Sequence, residues 1–220
     1  LLFVALPITL NFASNQLSTM GDFEARCRQR LQRFAEQMQL QESEARRFRG
    51  TFERYGMDTE NERRAAILCR RAESDLFAGN VDNAEMLLHQ ALEMAPTSAY
   101  ALTMSASFEL ARGRIGKALD YAEQGCARCT KKTGALSYKI LARVRDAQHD
   151  KQGRVAALEK ALEYEPEDNV IRHQFGVALS RSGREEAAIQ EFSRIIDSES
   201  TKAPPTPTLV MALTTRVINL

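Results

Sequence analysis

The feature that most constrains this 220-residue chain is a phrase that returns about every 34 residues. A small residue late in one apolar-periodic stretch is followed by a Gly turn, then by a second apolar stretch carrying Ala, then by Pro or a polar stop. Gly79 and Gly113 stand 34 residues apart, and Gly183 follows 70 residues later. Ala91, Gly125, Ala161 and Ile195 recur at intervals of 34, 36 and 34, and Pro96 and Pro166 are 70 apart. Self-similarity at this period predicts stacked helical hairpins, because one hairpin cannot bury its apolar face without a neighbour. The predicted fold class is all-α: an α–α solenoid preceded by a short helical segment.

Composition narrows the function classes. With 44% hydrophobic residues the chain can bury a substantial core. Lys and Arg number 30 against 29 Asp and Glu, so no global field draws it to nucleic acid or an acidic membrane. The opening apolar run Leu1–Leu6 stops at Pro7, far short of the roughly 20 residues a bilayer span requires. It carries no Met, which points to a piece of a longer or processed protein. Cys27, Cys69, Cys126 and Cys129 sit inside helical patterns without a framework spacing, which favours reduced, cytoplasmic thiols.

Three segments are expected. Residues 1–56 form an N-terminal helical segment. Thr9 is a cap candidate, with Phe12, Ala13 and Leu17 inward, and Phe23, Cys27, Leu31, Phe34, Ala35 and Met38 share one face. Phe48 and Phe52 lie one turn apart before Gly56, which ends that helix. Residues 57–199 hold four helix pairs, and residues 200–220 hold the stiff Ala203–Pro207 linker and the start of a further helix.

Within the array the first pair is predicted at about 60–78 and 81–95, with stripes Leu68, Ala72, Leu76 and Ala84, Leu87, Leu88, Ala91. The second pair runs through Ala99, Leu102, Ala106, Leu110 and then Ala118, Tyr121, Ala122, Gly125. The third carries Leu141 and Ala142, then Val155, Leu158, Ala161 and Leu162. The fourth carries Phe175, Gly176, Ala178 and Leu179, then Ala188, Ile189, Phe192 and Ile195. Small residues recur where helices cross, because they let backbones approach closely.

Gly79-Asn80-Val81-Asp82-Asn83-Ala84 with Ala91-Leu92 and Pro96, Gly183–Ile189 with Phe192, and Ala161–Asp168 resemble the second-helix phrase of the tetratricopeptide repeat. The resemblance covers about 60–200. There are departures: the aromatic early in the first helix of repeats one, two and four is missing, Thr130 replaces the closing Pro of repeat two, and His149 stands where repeat three would carry its turn Gly. An irregular turn is expected at His149. The resemblance implies a superhelix whose concave groove, lined mainly by the first helix of each pair, binds a protein or peptide without catalysis. By repeat position the groove candidates are Cys69 and Glu73; Tyr100, Thr103 and Ser107; Lys139 and Arg143; His173 and Val177. The two-Asn, two-Lys, one-Arg clamp of chaperone-binding members is not matched, which disfavours a chaperone-tail receptor.

Leu1–Leu6, Pro7–Leu10, Ala13 and Leu17 are similar to the first two helices of the winged-helix segment of STAND-type signalling NTPases. That resemblance implies the sensor portion of a larger bacterial switch in defence or transcription, with its P-loop upstream. An exported assembly factor is a further alternative.

No Walker-type Gly-Lys-Ser/Thr loop and no dinucleotide Gly fingerprint occurs, and His89, His149 and His173 are scattered, so no catalytic constellation and no cofactor is expected. Cys126-Ala127-Arg128-Cys129 could hold a metal or cycle as a disulfide, but it has no second pair and ends a helix, which fits structural thiols. The Arg-rich stretch 26–71 alternates with Glu, as a solvated surface does; a nucleic-acid role there would show steep salt dependence. Lys139 and Arg143, one turn apart, could grip a carboxylate or be ordinary surface charge. The partner expected is a protein or peptide in the groove, not nucleic acid or membrane.

Overall fold

The computed structural model describes residues 48–199 together with residues 46, 208, 211 and 215. The chain divides into two compact units, Leu1–Arg49 and Gly50–Leu220, and the array belongs to the second. The N-terminal helices, the winged-helix resemblance, Cys27 and the Ala203–Pro207 linker lie outside the described residues.

Residues 50–55 are helical. Eight further helices follow: α1 (Glu60–Phe77), α2 (Val81–Met94), α3 (Ala99–Ala111), α4 (Ile115–Ala127), α5 (Gly134–Ala147), α6 (Lys151–Tyr164), α7 (Asn169–Arg181) and α8 (Glu185–Glu199). Among the described residues there is no strand. Odd-numbered helices pack on the even-numbered helix that follows, and each even-numbered helix through α6 packs on the next odd one. Helix α3 also contacts both α1 and α5, so these first helices of successive pairs lie side by side.

Local chemistry sets the helix ends. Thr59 caps α1 in a reciprocal box: its Oγ1 accepts from the Glu62 amide while the Glu62 carboxylate accepts from the Thr59 amide at 3.1 Å. Ser98 caps α3, Asp150 caps α6 and Asp168 caps α7 in the same sense, each side-chain oxygen accepting a first-turn amide. At the other end of α1, the Asn80 amide donates to the Asp75 carbonyl at 2.8 Å and the Gly79 amide to Leu76. This pattern needs a left-handed residue after the cap, and Gly79 supplies φ +84°.

The expected irregular turn in repeat three is corrected by the structure. His149 takes φ 59°, and the Asp150 amide donates to the Arg145 carbonyl at 2.9 Å, as Arg114 does to Glu109 after Gly113 and Arg184 to Leu179 after Gly183. The turn is regular because the packed pair fixes where the chain must reverse. The side chain bears the cost of a left-handed backbone, about 1 kcal/mol.

The apolar stripes meet in a shared seam. Ala106, Ala118, Ala122, Ile140 and Val144 form one cluster across repeats two and three. Leu158, Ile171, Leu179, Phe192 and Ile195 anchor another across repeats three and four. Leu141 packs against both, so the two clusters are continuous. Phe192, 0% exposed, is the largest of the fully buried side chains among the described residues, and full burial of such a ring is worth roughly 3 kcal/mol. It fits because a Cβ on Gly176 would lie 2.6 Å from its Cε1, so only Gly lets α7 approach.

Candidate functional site

The residues singled out from repeat position occupy two equivalent rows on the first helices. One row is Cys69, Thr103, Lys139 and His173; the other, one turn on, is Glu73, Ser107, Arg143 and Val177. Tyr100 lies one turn before Thr103. The rows are not uniform along the array.

In the first two repeats the candidates are largely enclosed. Cys69 is 0% and Thr103 1% exposed, and Tyr100 is also buried. Burial pushes the Cys69 thiol up to about 12. The Tyr100 phenol is likewise raised, chiefly by burial, with Cys69, Arg70, Tyr55 and Glu73 all within electrostatic reach. Thr103 is held by small neighbours: its hydroxyl reaches the Ala99 carbonyl at 2.7 Å and Ser137 Oγ at 2.9 Å. A Cβ on Gly125 would sit 2.9 Å from the same oxygen. Half-buried Glu73 accepts from Arg70 at 2.6 Å, and Ser107 is also half-buried.

Repeats three and four present a different surface. Lys139 is half-buried, Arg143 is exposed, and neither enters an ion pair with a described residue. Arg112 and Arg114, by contrast, both pair with Glu85, whose carboxyl is held below its ordinary range by the Arg114 hydrogen bond first and then by the charges of both arginines, against the opposing effect of burial. Arg145 pairs with Glu123 at 2.8 Å, Arg154 with Asp146 at 2.5 Å and Arg172 with Glu191 at 3.1 Å. Lys139 and Arg143 are therefore two neighbouring positive charges, one turn apart, in no ion pair with a described residue. His173 is half-buried; its Nε2 lies 3.3 Å from Thr215 Oγ1, and burial lowers its pKa against an opposing bond with the Met211 backbone. Val177, one turn on in the other row, is also half-buried.

The Cys126–Cys129 pair has two free thiols. Burial first, then the neighbouring Cys129 and Glu123, pushes Cys126 up to about 12, which makes it a poor thiolate source. Cys129 Sγ sits 3.3 Å from the Tyr164 hydroxyl, and Tyr164 stacks on Tyr138 at 5.8 Å between ring centroids. Among the described residues no three His, Cys, Asp or Glu side chains converge as a metal site would require. Among them, too, no helix is long and apolar enough to cross a membrane.

Sequence reasoning missed two features of this surface. The ring of Tyr55 lies 5.0 Å from that of Tyr100, and the Lys132 ammonium donates to the Glu53 carbonyl at 2.9 Å. The first brings residues 50–57 onto α3 and the second onto the turn before α5, and no periodic signal marks either contact.

No protein-family model matches the chain, and no curated protein matches it. Solved structures do. A crystal structure of MamA is 21% identical over 72% of this chain and 88% of its own, with a TM-score of 0.55. YrrB, described as a TPR protein with an unusual peptide-binding site, is 18% identical over 78% of this chain and 82% of its own, TM-score 0.53. PilF of Pseudomonas aeruginosa is 15% identical over 73% and 72%, TM-score 0.58. At these identities the likeness speaks for the backbone, and with the paired helices, the left-handed turns and the shared seam it establishes that this chain has the tetratricopeptide-repeat fold.

Proposed function

We propose that the array is a non-catalytic protein-recognition scaffold that holds a partner segment against its first-helix face, with Lys139 and Arg143 of α5 receiving an acidic side chain or a chain-terminal carboxylate. The observation that carries this reading is the placing of two cations one turn apart on a first helix, at groove positions of the repeat, with neither in an ion pair with a described residue. A cation with no internal partner costs little while it faces water and is ready to form a charge-assisted bond with an arriving carboxylate. The peptide-binding site named for YrrB, on the same backbone, supports the same use here. The free thiols favour a reducing, cytoplasmic setting for the scaffold.

The test is fluorescence anisotropy with labelled eight-residue peptides, one rich in Asp and Glu and one rich in Lys. The acidic peptide is expected to bind, the basic one not. Reversal of both charges, Lys139→Glu with Arg143→Glu, is expected to weaken binding at least tenfold, about 1.4 kcal/mol. Equal affinity for wild type and the charge-reversed variant would dispose of the proposal.

A further inference from the structure

The junction between the first and second helix pairs is built from different residues than the two that follow. Where the second helix of one pair meets the first helix of the next, three register positions recur. At the third junction they hold Val155, Phe175 and Leu179, and at the second two of them hold Leu119 and Leu141, all packed into the shared seam. The remaining residue of the second junction, Arg145, is partly exposed and paired with Glu123. At the first junction the same three places hold Glu85 of α2 with Ser105 and Glu109 of α3. Packing alone disfavours three polar side chains where the repeat elsewhere uses mostly apolar ones. Such departures from a chain's own pattern concentrate at functional sites.

Serine is smaller than the leucine or phenylalanine at its equivalents, and Ser105 lines an open cleft of about 220 Å³. Leu88 and Leu92 of α2 and Phe108 of α3 give the cleft apolar walls, and Glu85 and Glu109 line it beside Ser105. Ser105 is 4% exposed, and its Oγ is the one buried side-chain polar atom among the described residues without a hydrogen-bond partner. Glu109 is 6% exposed and accepts one long bond, 3.4 Å from Arg114, so most of its acceptor capacity is unused. Glu85 takes the closer bonds, from Arg112 and, at 2.8 Å, from Arg114. The two carboxylates and two guanidiniums balance, so no net charge at the cleft selects an ion.

The cleft is smaller than the roughly 300–1,000 Å³ of sites for drug-sized ligands, so it takes a group the size of one side chain. An ion would bring an unbalanced charge into a partly desolvated place, whereas a neutral group that both donates and accepts would not. We propose that this cleft is a binding site for a neutral primary carboxamide on a short apolar stem, the group that a glutamine side chain of a partner presents. The amide nitrogen donates to the Glu109 carboxylate, the amide carbonyl accepts from the Ser105 hydroxyl, and the stem lies against Leu88, Leu92 and Phe108. The site is distinct from Lys139 and Arg143 of α5 and gives the array a second point of attachment with a different chemical preference.

The test follows the backbone amide resonances of the full chain by NMR as butyramide is added, with butyrate and n-butylamine as charged probes of similar size. Butyramide is expected to give saturable shifts at the Ser105 and Glu109 amides, and both charged probes to bind about tenfold more weakly or not at all. Ser105→Leu imports the residue that repeat three carries at this place and fills the cleft, and it is expected to abolish the saturable shifts. Ser105→Ala keeps the space and removes only the hydroxyl, and it is expected to weaken butyramide roughly threefold or more, the loss of one hydrogen bond. No saturable shift with butyramide in wild type, an equal response to the three probes, or wild-type affinity in Ser105→Ala would overturn the proposal. Where Ser105→Leu compromises folding, the alanine variant and the probe comparison decide. No acidic peptide is used, so this result and the titration at Lys139 and Arg143 stand or fall separately.

Discussion

Repeat three and its three siblings share one backbone but not one set of residues. At the turn, repeats one, two and four carry Gly79, Gly113 and Gly183, and repeat three carries His149 at the same left-handed torsion. Five residues on, Ala84, Ala118 and Ala188 are all 0% exposed, while repeat three has Arg154, whose guanidinium reaches Asp146 at 2.5 Å. Two departures from the repeat phrase have left the hairpin unchanged. Each repeat is held by contacts with its neighbours as well as by its own residues, so an ill-suited side chain is tolerated where it has an exit to water or an opposite charge. Arg154 keeps a polar outlet of that kind; a fully enclosed alanine has none.

The largest expected effect tests that difference. Ala188→Arg would bury a charge without a partner against the Phe192 cluster, and we expect a loss of more than about 3 kcal/mol in urea denaturation, with repeat four unfolding first. Arg154→Ala, the reciprocal change, is expected to cost about 1 kcal/mol or less, because only a partly exposed ion pair and an aliphatic stem are lost. Equal losses in the two variants would show that the sites do not differ as their burial implies.

A second pair of residues sharpens the comparison. At the same register in each pair stand a small residue of the first helix and a residue of the second: Ala72 with Leu88, Ala106 with Ala122, Ala142 with Leu158, and Gly176 with Phe192, these last two residues in close approach. Only the pair with the large ring has Gly. Gly176→Ala is expected to cost about 1–3 kcal/mol from overpacking, less whatever Ala gains in helix propensity. Adding Phe192→Leu, which imports the pairing of repeats one and three, is expected to recover part of that loss, and a double-mutant cycle measures the coupling. Additive losses would mean that the two positions do not share the space the geometry assigns them.

The smallest effect should have the opposite sign. His149→Gly relieves a left-handed histidine and makes the third turn like the others; we expect a gain of about 0.5–1 kcal/mol, reduced by the greater freedom of Gly in the unfolded chain. A loss of stability would show that the imidazole makes a contact that outweighs its backbone cost.

The fold was legible because its signal is repeated. Ala84, Leu87, Leu88 and Ala91 were expected on one stripe, and all four are buried in α2. The helix limits predicted for the first pair fall within one residue of those observed. Period and spacing are local properties, and a packed hairpin needs little else. The turn at His149 was misread for the same reason: the residue type predicts irregularity, and packing of the whole pair overrides it.

The candidate face was legible only as a set of register positions. Sequence could assign Cys69, Tyr100 and Lys139 to comparable places, but not foresee that the first two would be enclosed and the third only half-buried. Tyr100 meets Tyr55, 45 residues away, and Lys132 meets Glu53, 79 residues away. The sequence by itself determined that helices pair, where they turn and which stripe each buries, because helical periodicity and repeat spacing act between residues a few turns apart. Only the tertiary structure decided which part of the shared face is covered and which charges remain available, because both depend on contacts between segments whose separation along the chain carries no periodic trace.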